Sequence, residues 1–303
     1  MKNTYSITIL AITLFSLTVF STSCRKDGIE GSISNPEKLE EPGEPAESDP
    51  SAGRAVYTTR SVNWENRTNQ TTYTRAQAEA DFGNVSSWID SRAYISNGNG
   101  GGKSMRVTLL PNALSGAGGL ITDVDITDGS AYELDYDVKF HSQFNWSRGG
   151  KVGFGFRVGD GNTGGDPGTD GNGGSLRLMW YSPAGNPGRV YFQPYVYYRD
   201  QPGQFGNSFG KSYPSSGSLV KGAWYHVHMY IKSNTGSNTN GRVQIIINGT
   251  TVLDQAIRWT TNDSKRLIRQ MSFHTFRGGS TADWQASSTD YIYYDNLVVN
   301  KIE

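Results

Sequence analysis

The chain has 303 residues, with 28 Lys and Arg balancing 28 Asp and Glu, and a single cysteine. Balanced charge argues against a nucleic-acid partner, and one cysteine excludes an internal disulfide. With 37 glycines and 12% aromatic residues, the composition favours short strands joined by tight turns over a helical protein.

The N-terminus reads as an export signal. Lys2 supplies a positive charge, and Ile7 to Phe20 is an uncharged apolar run, shorter than the roughly 20 residues of a comfortable membrane span. Ser21, Thr22 and Ser23 then lead to Cys24, which predicts a signal peptide over residues 1–23. A lone cysteine directly behind such a run suits lipid attachment, so Cys24 is the expected lipidation site and a membrane the expected anchor. Ser21 stands where an apolar residue is usual, which leaves ordinary cleavage and a free thiol as the alternative. Either way the chain is expected in a bacterial cell envelope, as an outer-membrane lipoprotein facing the periplasm or the outside. Residues 24–53 include EKLEEPGEPAESDPSAG, with little that could be buried, and read as a disordered tether.

Residues 54–303 are expected to form one all-β domain and to act as a monomer. RAQAEADF, Arg75 to Phe82, is the best helix candidate. NGNGGGKS, ending at Ser104, superficially resembles a phosphate loop, but Asn97 replaces the first glycine and an alternating strand follows, so that reading is rejected. YELDYDVKF puts Glu133, Asp135 and Asp137 on one strand face, which keeps a jelly-roll glycoside hydrolase as a rival reading.

Three later segments repeat one design. In KVGFGFRV, Val152, Phe154, Phe156 and Val158 oppose Lys151, Gly153, Gly155 and Arg157. In SLRLMW, Leu176, Leu178 and Trp180 oppose Ser175 and Arg177. In RVYFQPYVYY, Val190, Phe192 and Val196 oppose Tyr191, Gln193, Tyr195 and Tyr197. Each offers an apolar side to a partner sheet and a second side bearing cations and tyrosines. Such a face suits an anionic sugar polymer, because rings stack on pyranoses and cations pair with carboxylates. A non-catalytic glycan-binding module would carry the same face. Between the strands, DGNTGGDPGTDGNGG (Asp160 to Gly174) lacks calcium-loop carboxylate spacing and is expected to be a mobile lid. His141, His226, His228 and His274 fit no zinc signature, so no metal is expected. His274 is a candidate groove residue and an alternative base.

Taken together, GGKSMRVTLLPNALSGAGG (Gly101 to Gly119), FNWSRGGKVGFGF (Phe144 to Phe156), SLRLMWY (Ser175 to Tyr181), YVYY (Tyr195 to Tyr198), the run Trp224 to Ile231, INGTTV (Ile247 to Val252) and FHTFRGGSTADW (Phe273 to Trp284) resemble, in this order, family 14 polysaccharide lyases and the related glucuronan lyases. The resemblance implies a β-jelly roll of two antiparallel sheets with a concave substrate groove, and cleavage of a uronate polymer such as alginate or glucuronan by β-elimination. It also implies functional roles for Lys151, Ser175, Arg177, Tyr195 and Tyr197. Two segments depart from the family pattern. Val152-Gly153-Phe154 replaces a proline-glycine segment, and Phe276-Arg277 replaces a double aromatic, so that Arg277 is expected to add a cation near the groove.

Elimination requires the C6 carboxylate to be neutralised, a base for the C5 proton and an acid for O4. Arg177 and Lys151 suit neutralisation. Tyr195 or Tyr197 suits the acid and base roles if adjacent cations lower a phenol pKa from about 10. Ser175, Gln193, Tyr191, Arg157, Arg106, His274 and Arg277 are expected to contact substrate. No cofactor is required.

Overall fold

The computed structural model describes residues 59–184 and 188–303. The expected signal segment, Cys24 and the tether lie outside the described residues.

The strands form two antiparallel sheets. One, of eight strands, runs β12 (Thr250–Ile257), β11 (Gly241–Ile247), β10 (Trp224–Lys232), β5 (Ala131–Phe140), β14 (Asp290–Lys301), β3 (Lys103–Leu109) and β2 (Ala93–Asn97), with β1 (Thr59–Val62) also on β14. The other, of six, contains β4 (Leu120–Gly129), β13 (Ile268–Arg277), β6 (Gly149–Lys151) with β7 (Phe154–Gly159), β8 (Gly173–Tyr181) and β9 (Tyr191–Tyr197). The all-β jelly-roll expectation holds.

Period-2 alternation explains why the sheets stack. Phe154, Phe156, Leu176, Leu178, Trp180, Phe192 and Phe273 from the six-stranded sheet are buried, as are Tyr132, Leu134, Tyr136, Val138, Phe140, Val227 and Met229 from the eight-stranded one. Phe154 meets Tyr136 edge to face at 5.3 Å, and Trp180 meets Phe140 at 5.7 Å. Each buried large apolar side chain contributes roughly 1.5–3 kcal/mol, so this interdigitated layer dominates the stability of the sandwich.

The first helix, α1, spans Arg75–Phe82 as the sequence predicts. Thr74 caps it and exchanges hydrogen bonds with Gln77 in a capping box. Its last residue, Phe82, plugs into Trp64, Trp88 and Phe154.

β6 and β7 are two pieces of one strand between β13 and β8. Lys151 faces Met179 and Phe156 faces Leu176. Five steps along the β6–β7 path therefore match three along β8, and the two extra residues, Val152 and Gly153, form a bulge. Gly153 has φ +81, and a Cβ there would lie 2.6 Å from the Tyr136 ring, so only glycine fits.

Candidate active site

The outward face of the six-stranded sheet gathers the tyrosines and cations. Arg177 on β8 stands directly opposite Tyr195 on β9, and Ser175 stands opposite Tyr197. One row along, Phe276 faces Lys151, Lys151 faces Met179, and Met179 faces Gln193.

The register brings the charges onto the rings. Lys151 Nζ lies 4.4 Å from the centroid of Tyr195 and 5.2 Å from that of Phe276. The Arg177 guanidinium lies 5.4 Å from Tyr195 and 5.5 Å from Tyr197. Arg177 is buried, and its Nε and Nη2 have no hydrogen-bond partner among the described residues. A buried guanidinium with unused donors is the arrangement that a bidentate carboxylate satisfies. Its Nη1 lies 3.3 Å from His274 Nδ1. Since arginine has donors only, that ring nitrogen must offer its lone pair.

His274 continues into a buried network. Its Nε2 lies 3.4 Å from Asp123 Oδ1, while Asp123 Oδ2 accepts from Arg157 Nη1 at 2.6 Å. Burial would raise the Asp123 carboxyl, but Arg157 and His274 outweigh it and hold it down at about 2. The site thus has a fixed anion behind His274 and buried, unbonded guanidinium donors in front.

The two tyrosines are placed differently. Tyr195 is partly exposed, beneath both cations. Tyr197 is fully buried, and its hydroxyl accepts from Gly165 N–H at 3.0 Å. Ser175 is buried and donates to Asn162 O at 2.8 Å. These bonds, with Gly168 N–H to Gln201 Oε1 at 3.2 Å and Arg157 Nη2 to Gly161 O at 3.0 Å, pin the loop from Asp160 onward to the sheet. The expected mobile lid is a fastened loop, and Ser175 and Arg157 are occupied as its ties.

Tyr191 sits at the end of the same face, under the Arg189 guanidinium at 4.2 Å and beside Tyr181 at 5.9 Å. Gln193 reaches Met179 Sδ at 3.6 Å. Two residues expected to contact substrate do not lie on this face. Arg277 is buried on the core side, paired with Asp290, because the alternation of β13 puts Phe276, not Arg277, on the face that carries Lys151. Burial lowers the Arg277 guanidinium against the pull of Asp290. Arg106 lies in the other sheet, between the rings of Tyr94 and Tyr291.

The carboxylates of the rival reading are also on the other sheet. Asp135 and Asp137 project from the outer face of β5, 2.9 Å from His228 Nδ1 and His226 Nδ1 respectively. They do not share a face with Lys151 and Arg177, which removes the glycosidase arrangement from this site. Among the described residues no group of three or more His, Cys, Asp or Glu side chains is placed to hold a metal ion.

Sequence reasoning missed Phe276, Met179 and Asp123. Alternation in FHTFR carried the signal for Phe276, since Ser272, His274 and Phe276 share a parity. Nothing local marks Asp123, whose role depends on the pairing of β4 with β13.

The polysaccharide lyase 14 family model matches residues 113–297. The chain belongs to polysaccharide lyase family 14. This family 14 lyase is also 65% identical to the solved alginate lyase Aly36B, over 82% of this chain and 99% of that one, with a TM-score of 0.79. A double variant of Aly36B in complex with alginate tetrasaccharide matches at 64% identity, over 82% and 99% of the two chains, with the same TM-score of 0.79. The PL-14 alginate lyase of Aplysia kurodai, 20% identical over 81% of this chain and all of that one, with a TM-score of 0.61, shares the fold. Exolysin of Paramecium bursaria Chlorella virus 1 is 26% identical over 198 residues, which is 55% of this lyase but only 29% of the viral protein.

Proposed function

We propose that this lyase depolymerises alginate by β-elimination, with Arg177 and Lys151 neutralising the uronate carboxylate and Tyr195 moving the proton. The observation that carries the reading is the unsatisfied Arg177 guanidinium facing Tyr195, with Lys151 over the same ring. The substrate rests on the similarity to Aly36B and its alginate complex.

The steps balance without another reagent. Carboxylate binding to Arg177 and Lys151 acidifies the C5 proton, which Tyr195, acting as the phenolate beside the two cations, takes. The C5–H electrons form the C4–C5 double bond as the C4–O4 bond breaks, and the proton on Tyr195 passes to O4. Tyr195 is favoured over Tyr197 because it is partly exposed, whereas the Tyr197 hydroxyl is buried and engaged by Gly165. Gln193 and Tyr191 extend the face for neighbouring sugars, and His274 aims Arg177.

The test is the ultraviolet absorbance of the unsaturated uronate end as the chain is incubated, with a chelator present, with alginate, polymannuronate, polyguluronate or glucuronan. A rise on alginate that Tyr195→Phe abolishes supports the proposal. Reducing ends without that absorbance would mean hydrolysis, and binding without any cleavage would mean a glycan-binding module. We also propose that the chain is exported and anchored through Cys24. Cys24→Ser should then move it from the membrane fraction to the soluble one.

A further inference from the structure

The outer face of the eight-stranded sheet carries a second arrangement of rings and cations. Five adjacent strands each place one residue in a single in-register row. Tyr94 on β2 faces Arg106 on β3, which faces Tyr293 on β14, which faces Lys139 on β5, which faces Trp224 on β10. Aromatic and cation alternate along the whole row. At about 4.8 Å between strands, the row is about 19 Å long.

The cations are held by rings. Arg106 lies 4.5 Å from the centroids of both Tyr94 and Tyr291, and Lys139 lies 4.5 Å from Trp224 and 4.7 Å from Tyr293. His141 stacks on Tyr293 at 6.3 Å. All these residues are half-buried, with one side toward solvent. Neither Arg106 nor Lys139 has an ion-pair partner among the described residues, and the buried Nε of Arg106 has no hydrogen bond. Burial holds the Lys139 ammonium below its ordinary value, against the pull of Asp295. Two half-desolvated cations with no carboxylate in ion-pair contact among the described residues therefore sit between rings that present flat apolar faces.

Acidic groups bound the row on one side only. One step along the strands, Asp137 is engaged by His226, Asn99 and Asn296, and Asp295 accepts from Asn99 N–H. In the other direction lie Tyr291 and His141, which leaves the approach open to an anion.

We propose that this row is a second, non-catalytic binding surface for the same anionic polysaccharide, on the opposite side of the sandwich from the elimination site. Its rings stack on pyranose faces, and Arg106 and Lys139 pair with uronate carboxylates. The proposal rests on the reading that the chain acts on a uronate polymer. Its consequence is that a long chain engages both faces and stays near the enzyme between cuts, whereas a short oligosaccharide engages one.

The experiment is affinity electrophoresis of the full chain through gels containing polymannuronate, paired with rates on that polymer and on a uronate tetrasaccharide. With the elimination site weakened by Arg177→Ala, retardation by the polymer should persist. Adding Lys139→Ala and Trp224→Ala should cut it by roughly five- to tenfold, since each exposed cation or stacking contact contributes a few-fold. In the otherwise unaltered chain, the same alanine pair should raise KM on the polymer and leave tetrasaccharide turnover unchanged. Retardation lost with Arg177→Ala alone, or unmoved by the alanine pair, overturns the proposal. A Lys139→Arg, Trp224→Tyr chain should regain retardation, and its failure to do so would assign the loss to a disturbed sheet and overturn the proposal as well. A chain that eliminates no uronate polymer, yet shows retardation dependent on the row, discards the lyase reading and keeps the surface.

Discussion

In the proposed elimination Arg177 neutralises the carboxylate, because two of its buried nitrogens have no hydrogen-bond partner among the described residues. A guanidinium brought out of water with two nitrogens unbonded is costly on its own, and a substrate carboxylate removes that cost where charge develops. Arg177→Ala should therefore lower kcat by about 10²–10³, the usual loss for one oriented donor at a developing anion. Arg177→Lys should recover only part of it, because an ammonium lacks the planar fork. Both are read from the absorbance of the unsaturated product. Arg277 makes the contrast. It lies 1% exposed against Asp290, so Arg277→Ala should cost about 3–5 kcal/mol in denaturant unfolding by stranding a buried carboxylate. The ratio of rates among uronate polymers should not change, since the side chain does not reach the sugar face.

At the scale of the element, the bulge in the β6–β7 strand decides where Lys151 points. Two residues fit into β6–β7 without a counterpart on β8, which keeps Lys151 beside Phe276 and over Tyr195 while Phe154 and Phe156 stay in the core. The departure from the family's proline-glycine segment is accommodated here, and Gly153 is its hinge. Gly153→Ala would need φ +81 and would press a Cβ against Tyr136. It should cost at least about 1–2 kcal/mol for the left-handed backbone alone, and a thermal melt would register it. Activity should fall as well, through the displaced Lys151. A normal melt with lowered activity would show that the bulge sets the lysine without limiting the fold.

For the whole molecule, the two sheets carry rings and cations on opposite outer faces, the proposed elimination face on one and the Tyr94–Trp224 row on the other. The buried Arg157–Asp123–His274–Arg177 chain ties the face that carries Tyr195 to overall stability. Asp123 is held down at about 2 from an ordinary value of 3.8, so the unfolded chain binds the proton more readily than the folded one. The stabilisation is therefore complete above about pH 4 and is lost as pH falls from about 4 toward 2, by on the order of 2 kcal/mol. Denaturant midpoints measured across that window should show the slope. Asp123→Asn should flatten it while lowering stability at neutral pH.

Sequence alone determined the bounds of α1 and, because period-2 alternation fixes which side of a strand each residue takes, the groups on the proposed sugar face, while the jelly roll was implied by the family resemblance. Lys151, Arg177, Tyr191, Gln193, Tyr195 and Tyr197 were legible in this way, and Phe276 was legible in principle from the same alternation. Which sheet a strand joins depends on pairings between residues far apart in the chain. That is why Arg106 was grouped with residues of the other sheet, and why Asp135 and Asp137 looked like a catalytic pair when they lie opposite the histidines of β10. Only the tertiary structure placed Asp123 behind His274, tied the 160–174 loop down over Tyr197, and aligned five strands into one row of rings and cations. Each depends on strand register, which no local spacing encodes.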